Sequence, residues 1–392
     1  MMIATLAALT VFMAAAPPAA TPPTREQVEA EMGLRSQGDD VRGQLDTVGF
    51  AVTAAQMEDV VARAREVEAE LFTRQSQRYG LTGEAGLVAG ICPHDDYLYA
   101  GRAYVYLTDH IRAPRVLLLG VFHKAREWDL EGKLVFDRFR SWHGPWAPVP
   151  VDPLREELLE LLPHESVVVD NAMHCREHSL EAIVPFLQAS NRDVRIVPVL
   201  VPYMGWEDIE RISEQLATAL ATLVTRHGWQ LGRDLAVVIS SDAVHYGKDF
   251  DHSPFGLDAS GYQTAFNLDA TLSQKLLEGQ LNATKSKALF EDLVDPDDVR
   301  HYRIPWCGRF SIPVGLETLR RLAGRLGQPV PVGHMLRHAS SISDLELPVS
   351  KATRDAGLGT TAESNLCHWV DYLTVGYKLP AVVTPPAAGT GG

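Results

Sequence analysis

Short apolar runs alternate along the chain with longer segments in which apolar residues recur every three or four positions. Runs such as Arg115–Phe122 (RVLLLGVF) and Leu235–Ser241 (LAVVISS) are bounded by polar residues and predict buried strands. Segments such as Gln56–Tyr79 and Glu207–Arg226 have helical spacing and predict amphipathic helices. Because the two kinds of segment alternate nearly throughout, we expect an α/β fold, a three-layer α/β/α sandwich in one large domain.

The same patterns predict the remaining elements. Further strands are expected at 86–92, 166–170, 194–201, 330–336 and 370–376, with a strand or hairpin at 128–139. Further helices are expected at 101–111, 152–162, 178–188, 261–277, 283–293 and 314–326. The segments 141–150 and 305–309 are predicted loops. Pro198 interrupts the strand at 194–201 and indicates a bulge or a sheet edge, because proline cannot donate to the ladder.

The two ends of the chain differ from the rest. Residues 1–20 contain an apolar stretch shorter than the roughly 20 residues that cross a bilayer, flanked by small residues, which predicts a cleaved signal peptide. No Lys or Arg precedes Arg25, so the usual basic start is missing. We expect export to a periplasm with no membrane span in the mature chain, the alternative being a cytoplasmic protein. Residues 21–85 are then a linker with a helical extension, 86–379 the α/β domain and 380–392 a flexible tail.

Charge and cysteine content narrow the function. The 392 residues include 50 acidic and 36 basic ones, for a net charge of −14, and no Lys/Arg-rich run occurs. This disfavours nucleic acid and anionic membranes as partners, since phosphate binding needs clustered cations. A small-molecule substrate or a metal ion fits better, while the oligomeric state is left open. The four cysteines form no C-x-x-C pair, which excludes zinc-ribbon and thioredoxin motifs.

Three predicted strands each lead into a histidine at or just beyond the carboxyl end. His94 follows the strand at 86–92, His123 follows the strand at 115–122, and His245 comes shortly after the strand at 235–241. Ligand sites of open α/β sheets lie at this edge. Although a lone histidine is usually an ordinary structural residue, the repeated placement indicates that these three converge.

Cys307 lies in a Gly/Pro-flanked turn before a predicted helix, where the helix dipole favours a thiolate. A lone cysteine is usually a small buried apolar residue. Imidazole and thiolate together suit iron, copper and zinc. The other histidines are interpreted as solvent or loop residues: His110, His143, His164, His174, His227, His252, His301, His334, His338 and His368.

Five motifs in this order resemble those of the Memo family. They are Pro93-His94 with Tyr97-x-Tyr99-x-Gly101, Leu118-Leu119-Gly120-x-x-His123, Glu177-His178-Ser179-Leu180-Glu181 with Pro185, Ile239-Ser240-Ser241-Asp242-x-x-His245, and Cys307-Gly308-Arg309. The resemblance spans roughly 87–376, and five motifs in order are specific where each alone is modest. Memo proteins are similar in fold to class III extradiol dioxygenases, which implies a mixed, largely parallel sheet.

The resemblance also implies a site for iron or copper, with zinc less expected. Its metal ligands would be His94, His123, Cys307 and, as a fourth ligand, His245. His245 is alternatively the acid/base group of a reaction, which suits an imidazole. Asp242 would orient a histidine, and His178 would lie in the pocket, although a helix N-terminal role fits His178 as well. The expected catalytic residues are thus His245, Asp242 and His178.

Asp95 and Asp96 depart from the family pattern, which has Ala-Gly after the first histidine. Two carboxylates there would raise the pKa of His94, bind a second cation or repel anionic substrates.

Three functions agree with these observations. The preferred one is a non-haem iron or copper redox enzyme, dioxygenase-like, that acts on an unknown small substrate. A second is a non-catalytic copper- or iron-binding protein, which the lack of a Met-rich tract makes weaker. The third, also implied by the resemblance, is a peptide-binding interaction module that uses the same pocket.

Overall fold

The structure is a computed structural model that describes residues 36, 38–83, 86–295 and 297–380. The predicted signal peptide and the predicted tail beyond residue 380 lie outside these residues. Within the described part of the chain, no helix is both long enough and apolar enough to cross a membrane.

Strands and helices alternate along the described residues. The strands are β1 (Val41–Arg42), β2 (Ala89–Cys92), β3 (Arg115–Val121), β4 (Leu134–Phe136), β5 (Ser141–Trp142), β6 (Val149–Pro150), β7 (Val167–Val169), β8 (Arg195–Val201), β9 (Leu235–Ser240), β10 (His245–Gly247), β11 (Gly279–Gln280), β12 (Val332–Ser340) and β13 (His368–Lys378). The helices are α1 (Ala54–Arg78), α2 (Tyr97–Thr108), α3 (Leu154–Leu161), α4 (Asn171–Cys175), α5 (Val184–Ser190), α6 (Trp206–His227), α7 (Ala259–Leu277), α8 (Ala283–Leu293), α9 (Ser311–Arg325) and α10 (Lys351–Asp355).

One sheet of ten strands organises the molecule, in the order β11-β12-β13-β2-β9-β3-β8-β4-β7, with β10 paired to β13. Its centre, β2-β9-β3-β8, is parallel. Antiparallel pairs flank this centre at β13 and β12 on one side and at β4 on the other. The mixed sheet and the α/β class are therefore confirmed.

Alternate residues of the central strands face two separate apolar cores. In β3, Val116 and Leu118 pack into the core that contains α1, α2 and α5. Leu117 and Leu119 pack into the other core, with α6, α8 and α9. Helices thus cover both faces of the sheet and form the predicted three-layer sandwich. A one-residue slip of a strand would exchange the two cores, so burial on both faces specifies the register.

Among the predicted helices, those expected from residues 101 and 178 begin furthest from their predicted starts. The helix expected from residue 101 begins at Tyr97, directly after Asp96. The helix expected at 178–188 begins only at Val184. The Glu177 carboxylate accepts the backbone N–H groups of His178 and Ser179 at 2.9 and 2.8 Å. Such local side-chain bonds compete with helix formation, which explains the late start.

Two further interpretations are corrected. The predicted loop at 141–150 contains β5 and β6, which join β1 in a small second sheet. Pro198 does not mark a sheet edge, because β8 lies between β3 and β4. Strand β4 pairs only with Val199 and Leu200, so its ladder ends beside the proline, which has no N–H to offer.

Gly90 in β2 is a position where a side chain has no room. A methyl group on its Cα would lie 2.0 Å from Leu107 Cδ1 and 2.8 Å from the Val375 carbonyl oxygen. Leu107 can rotate, but β13 cannot retreat without loss of ladder hydrogen bonds. We expect Gly90→Ala to lower the free energy of unfolding by ~1–3 kcal/mol in urea denaturation. Gly324→Ala in α9, whose methyl group meets nothing within 4 Å, is the control, and equal losses in the two variants would contradict the packing argument.

Candidate metal centre and its cavity

The carboxyl ends of β2 and β3 bring His94 and His123 together, with their ring centroids 5.3 Å apart. Cys307 reaches the same place from the segment before α9. Its Sγ and one ring nitrogen of each histidine all lie within 4.8 Å of one another. Three of the ligands expected from the sequence thus form one group with the spacing of a metal site. Their role as ligands stays a prediction.

His94 is held in one tautomer by its neighbours. Its Nδ1 lies 2.7 Å from Ser240 Oγ, and that hydroxyl donates its own hydrogen to the Ser179 carbonyl oxygen. Nδ1 is therefore the donor, and Nε2 carries the lone pair. The backbone N–H of His94 donates to Asp242 Oδ1 at 2.9 Å, and Asp242 Oδ2 lies 3.3 Å from Nε2. Burial lowers the pKa of His94, so the ring is neutral, as a metal ligand must be.

His123 is oriented by the buried carboxylate of Glu177. Its Nδ1 lies 2.9 Å from Glu177 Oε1, and its backbone N–H donates to Oε2 at 2.7 Å, which leaves Nε2 on the side of Cys307. Burial opposes protonation of His123, but Glu177 and Cys307 outweigh it and raise its pKa to about 10. Burial also opposes ionisation of Glu177, yet the charge of His123 lowers the pKa of this carboxyl.

The sequence did not lead us to expect Glu177 among the residues of the site. It belongs to the third sequence motif, immediately before His178, and that position was the available sign of its role. Metal-binding histidines commonly donate their second N–H to a carboxylate, which fixes the ring orientation.

His245 lies beside the three-residue group rather than in it. Its Nδ1 is 3.1 Å from the carbonyl oxygens of both Ala243 and Pro305, so Nδ1 donates and Nε2 is free. Nε2 lies 3.6 Å from Cys307 Sγ, and His245 forms a second close group with Cys307 and Asp242. This arrangement would suit an acid/base group next to a bound ion better than a fourth ligand.

His178 packs flat on His123, with ring centroids 5.0 Å apart and the planes 4° from parallel. Its side chain is 39% exposed and faces the cavity above the site. Burial lowers its pKa, and the charge of His123 acts in the same direction. His178, Asp242 and His245 therefore all line the cavity, and their expected catalytic roles stay predictions.

Cys307 is suited to a bound cation. Burial raises the pKa of its thiol, while the neighbouring His123 opposes that rise. A metal ion would replace the proton and stabilise the thiolate. Two oriented imidazoles with one thiolate form a donor set that iron, copper and zinc accept. The residues present therefore fit a transition metal ion.

A cavity of about 600 Å³ opens over the group. Besides the site histidines and Asp242, its walls include Leu45, Asp46, Thr47, Val48 and Phe50 from the segment before α1, together with Asp95, Asp96 and Thr361. This volume accommodates a small organic molecule. The segment ahead of the predicted domain thus forms one wall of the cavity.

Comparison with known proteins identifies the family. The sequence model of a protein family described as "Memo-like protein" matches residues 64–359 of this chain. The chain belongs to the Memo family. A MEMO1 family protein of Pyrococcus furiosus is 29% identical over 201 residues, which cover 48% of this chain and 64% of the relative. One from Methanosarcina barkeri is 34% identical over 166 residues, 42% of this chain and 56% of the relative. One from Thermococcus onnurineus is 27% identical over 268 residues, 66% and 82% of the two chains.

The family assignment confirms the resemblance seen in the five motifs. The match spans less than two thirds of the first two relatives' lengths. The names of these relatives state no ligand and no reaction, so the activity of this Memo protein is a matter for proposal.

Asp95 and Asp96, which depart from the expected Memo pattern, are anchored beside the cavity. Asp95 accepts the Tyr372 hydroxyl, and Asp96 Oδ2 accepts the backbone N–H of Thr361 at 2.6 Å. Burial and the charge of Asp95 raise the pKa of Asp96 to about 7 and that of Asp242 to about 8. The pKa of His94 is lowered by burial, so the expected rise from these two carboxylates is not found.

A second buried group in this Memo protein corrects the interpretation of His338 as a solvent or loop residue. His338 Nε2 lies 2.8 Å from Asp371 Oδ2, and Asp269 completes the group. Asp269 accepts Trp306 Nε1–H at 2.7 Å and the backbone N–H of Val244 at 3.2 Å. These are the residues directly before Cys307 and His245. Through Trp306 and Val244, the group thus helps to hold Cys307 and His245 in position.

The interpretation of His174 as a solvent or loop residue is also wrong. It is fully buried, and its Nε2 lies 3.1 Å from the carbonyl oxygen of Val135. The ring therefore packs inside the domain rather than in a solvated loop, and burial lowers its pKa.

Asp371 makes the stability of this Memo protein depend on pH. Burial raises its pKa from 3.8 to about 8. Between these values the folded state binds a proton that the unfolded state releases, so stability falls as pH rises towards 8. Asparagine does not titrate. As pH rises from 5 to 8, we expect the unchanged protein to lose about 2–4 kcal/mol of unfolding free energy that the Asp371→Asn variant does not lose.

The measurement is urea denaturation at several pH values. Asp355→Asn, at a carboxylate that is 62% exposed, should track the unchanged protein. A constant difference between Asp371→Asn and the unchanged protein across this range would refute the assignment.

Glu177→Gln tests the orientation of His123. The amide keeps the size of the side chain but loses the charge and one acceptor oxygen. We expect copper or iron affinity to fall about 10–100-fold, as is usual for loss of a carboxylate behind a histidine ligand. Competition with a metal chelator measures the affinity. Glu70→Gln, at a side chain that is 88% exposed, is the matched control, and equal affinities in the two variants would exclude the role of Glu177.

Proposed function

We propose that this Memo protein is a metal-dependent redox enzyme. Its iron or copper ion would be held by His94, His123 and Cys307, and its small substrate would lie in the cavity above them. The observation that carries the proposal is the group of two imidazole nitrogens and one sulfur within 4.8 Å, beneath a cavity of about 600 Å³. Zinc is less favoured because the proposed chemistry is redox.

The surroundings of the three ligands support this assignment. Ser240 and Glu177 each hold one ring nitrogen of a ligand histidine, so the other nitrogen of each ring is preset for the metal. When bound, the ion would supply a redox-active and polarising centre at the floor of the cavity.

His245 is the proposed acid/base group. Two carbonyl oxygens hold Nδ1–H, so proton exchange is confined to Nε2, on the side of Cys307. An imidazole suits proton transfer near neutral pH. Asp242 accepts the backbone N–H of His94 and lies within 4.8 Å of the nearest ring nitrogen of His245, so it would help to position both residues.

The alternative is a protein that binds copper or iron without turnover. The same three ligands would serve it, but storage requires neither a cavity of this size nor an acid/base group beside the metal. A peptide-binding module would use the cavity without needing metal.

Export through residues 1–20 stays a prediction.

Metal analysis of the purified protein, followed by oxygen uptake over a panel of small substrates, tests the proposal. We expect one iron or copper ion per chain and turnover that depends on it. His245→Gln should keep the metal and lose most of the turnover. Stoichiometric metal without turnover on any substrate would support the storage protein, and retained peptide binding after removal of the metal would support the interaction module.

A further inference from the structure

The cavity of this Memo protein is lined by an unusual set of charges. Four carboxylates face it, those of Asp46, Asp95, Asp96 and Asp242, and no Lys or Arg is among the described residues that line it. The histidines are the only potentially cationic side chains in this lining.

Two of these carboxylates come close together. A methyl group on the Cα of Gly49 would lie 1.9 Å from Asp96 Oδ1 and 3.2 Å from Asp46 Oδ2, so the two carboxylates flank the same glycine. Like charges this close disfavour each other, so the pair either keeps a proton on one carboxyl or favours a cation beside it. The fold brings Asp46 here from the segment before α1 and Asp96 from the start of α2.

The metal does not account for these charges. Asp242 is the only one of the four that forms a close group with His245 and Cys307. Among the described residues, no cluster of mutually close ligand atoms includes Asp46, Asp95 or Asp96. Within the described residues, Asp46 and Asp96 thus lack a third close His, Cys or carboxylate ligand atom, which suits an organic cation better than a second metal ion.

Each carboxylate is held in place by its neighbours. The backbone N–H groups of Val48 and Gly49 donate to Asp46 Oδ1 at 2.8 and 2.9 Å. Asp96 Oδ2 accepts both the N–H and the hydroxyl of Thr361. An acidic wall fixed in this way is preorganised, so a cation that binds there has little ordering of side chains to pay for.

The rest of the same wall is apolar. Leu45 and Val48 are 50% and 44% exposed, and Phe50 lies between Tyr97 and His178, with ring centroids 5.1 and 6.4 Å away. Exposed apolar side chains beside fixed carboxylates match a ligand that has both an apolar body and a positive charge.

We propose that the cavity selects an organic amine, protonated at neutral pH, whose ammonium group faces Asp46 and Asp96 and whose apolar body lies against Leu45, Val48 and Phe50. This inference names the substrate class of the proposed enzyme. It rests on the proposed function, which makes the cavity the substrate site.

Three probes of similar shape test the selection: 2-phenylethylamine, 2-phenylethanol and 3-phenylpropionate. Their affinities for the metal-loaded and the metal-free protein are measured by calorimetry at low salt. We expect the amine to bind at least about tenfold more tightly than the alcohol, as one charge-assisted contact provides. The carboxylate should bind most weakly. Added salt should weaken amine binding most.

Variants of the acidic wall locate the binding. Asp46→Asn and Asp96→Asn should each reduce amine affinity about tenfold and leave alcohol affinity unchanged. Glu70→Gln, which removes one exposed surface charge, should change neither. Asn retains an oxygen for the hydrogen bonds that hold the wall, and unchanged alcohol binding reports that the cavity is intact.

Several outcomes would overturn the inference. Amine binding no tighter than alcohol binding, tighter carboxylate binding, or an amine affinity that Asp46→Asn and Asp96→Asn leave unchanged would each do so. Displacement of the amine by Mg²⁺ or Ca²⁺ at equal concentration would assign the wall to a metal cation. Amine selectivity in a protein that binds no iron or copper would refute the proposed function alone, whereas stoichiometric metal without amine selectivity would refute this inference alone.

Discussion

His123→Ala is expected to abolish stoichiometric binding of iron or copper. The change removes one of the three proposed ligands and leaves the Glu177 carboxylate without its partner. Loss of a carboxylate behind a ligand histidine usually lowers metal affinity about 10–100-fold, and we expect loss of the ligand itself to exceed about 100-fold. Metal content after equilibrium dialysis, compared with that of the unchanged protein, measures the effect.

A matched control is His301→Ala, at a side chain that is 66% exposed. This variant should bind as much metal as the unchanged protein. If His123→Ala also retained one ion per chain with unchanged affinity, the metal would be bound elsewhere and His94 and Cys307 would lose their assignment as well.

Arg42→Met is expected to lower the free energy of unfolding by about 3–5 kcal/mol. Arg42 is 1% exposed, and its guanidinium pairs with the buried carboxylate of Glu181. It also donates to the His174 carbonyl oxygen at 2.9 Å and lies over the ring of Trp142, 4.3 Å from its centroid. Methionine keeps most of the volume but leaves the Glu181 carboxylate buried without its cation.

The effect should reach the cavity, because Glu181 also accepts the backbone N–H groups of Leu45 and Asp46 at 2.9 and 2.7 Å. These residues form the wall of the cavity that comes from the segment before α1. Chemical denaturation measures the loss, with Arg140→Met as the control at a side chain that is 83% exposed. A loss below about 1 kcal/mol, the value of an exposed pair, would show that Arg42 does not hold this segment.

The central sheet and the convergence of His94 and His123 were predictable from the sequence. Continuous apolar runs predict strands buried on both faces, and parallel strands of this kind present their carboxyl ends at one edge. The same reasoning brought Asp242 and His245 to this edge. The ordered motifs then indicated Cys307 as a partner, and its sulfur does lie close to both histidines.

Polar partnerships across long sequence separations were not predictable. Arg42 and Glu181 are 139 positions apart, and nothing in the period of the apolar residues specifies which buried charge meets which. The same holds for the group formed by Asp269, His338 and Asp371. The start of α5 was misplaced for a related reason: the Glu177 carboxylate takes local N–H groups that a helix would otherwise use.

The segment before α1 shows how such unpredicted polar contacts shape the candidate site. Its sequence predicted a linker and a helix, yet Leu45, Asp46, Val48 and Phe50 line the cavity. The backbone N–H groups of Leu45 and Asp46 donate to Glu181, which belongs to the motif that also carries Glu177 and His178. One short stretch of chain, 177–181, thus contacts both the wall of the cavity and the proposed metal ligand His123.

X-ray absorption at the metal edge identifies the atoms that bind the ion. For the iron- or copper-loaded protein we predict one sulfur neighbour from Cys307 and imidazole nitrogens from His94 and His123. The sulfur signal should vanish in Cys307→Ser and persist in Cys367→Ser, which changes an exposed free thiol. A first shell without sulfur in the unchanged protein, or one that Cys307→Ser leaves as it was, would contradict the proposed metal centre.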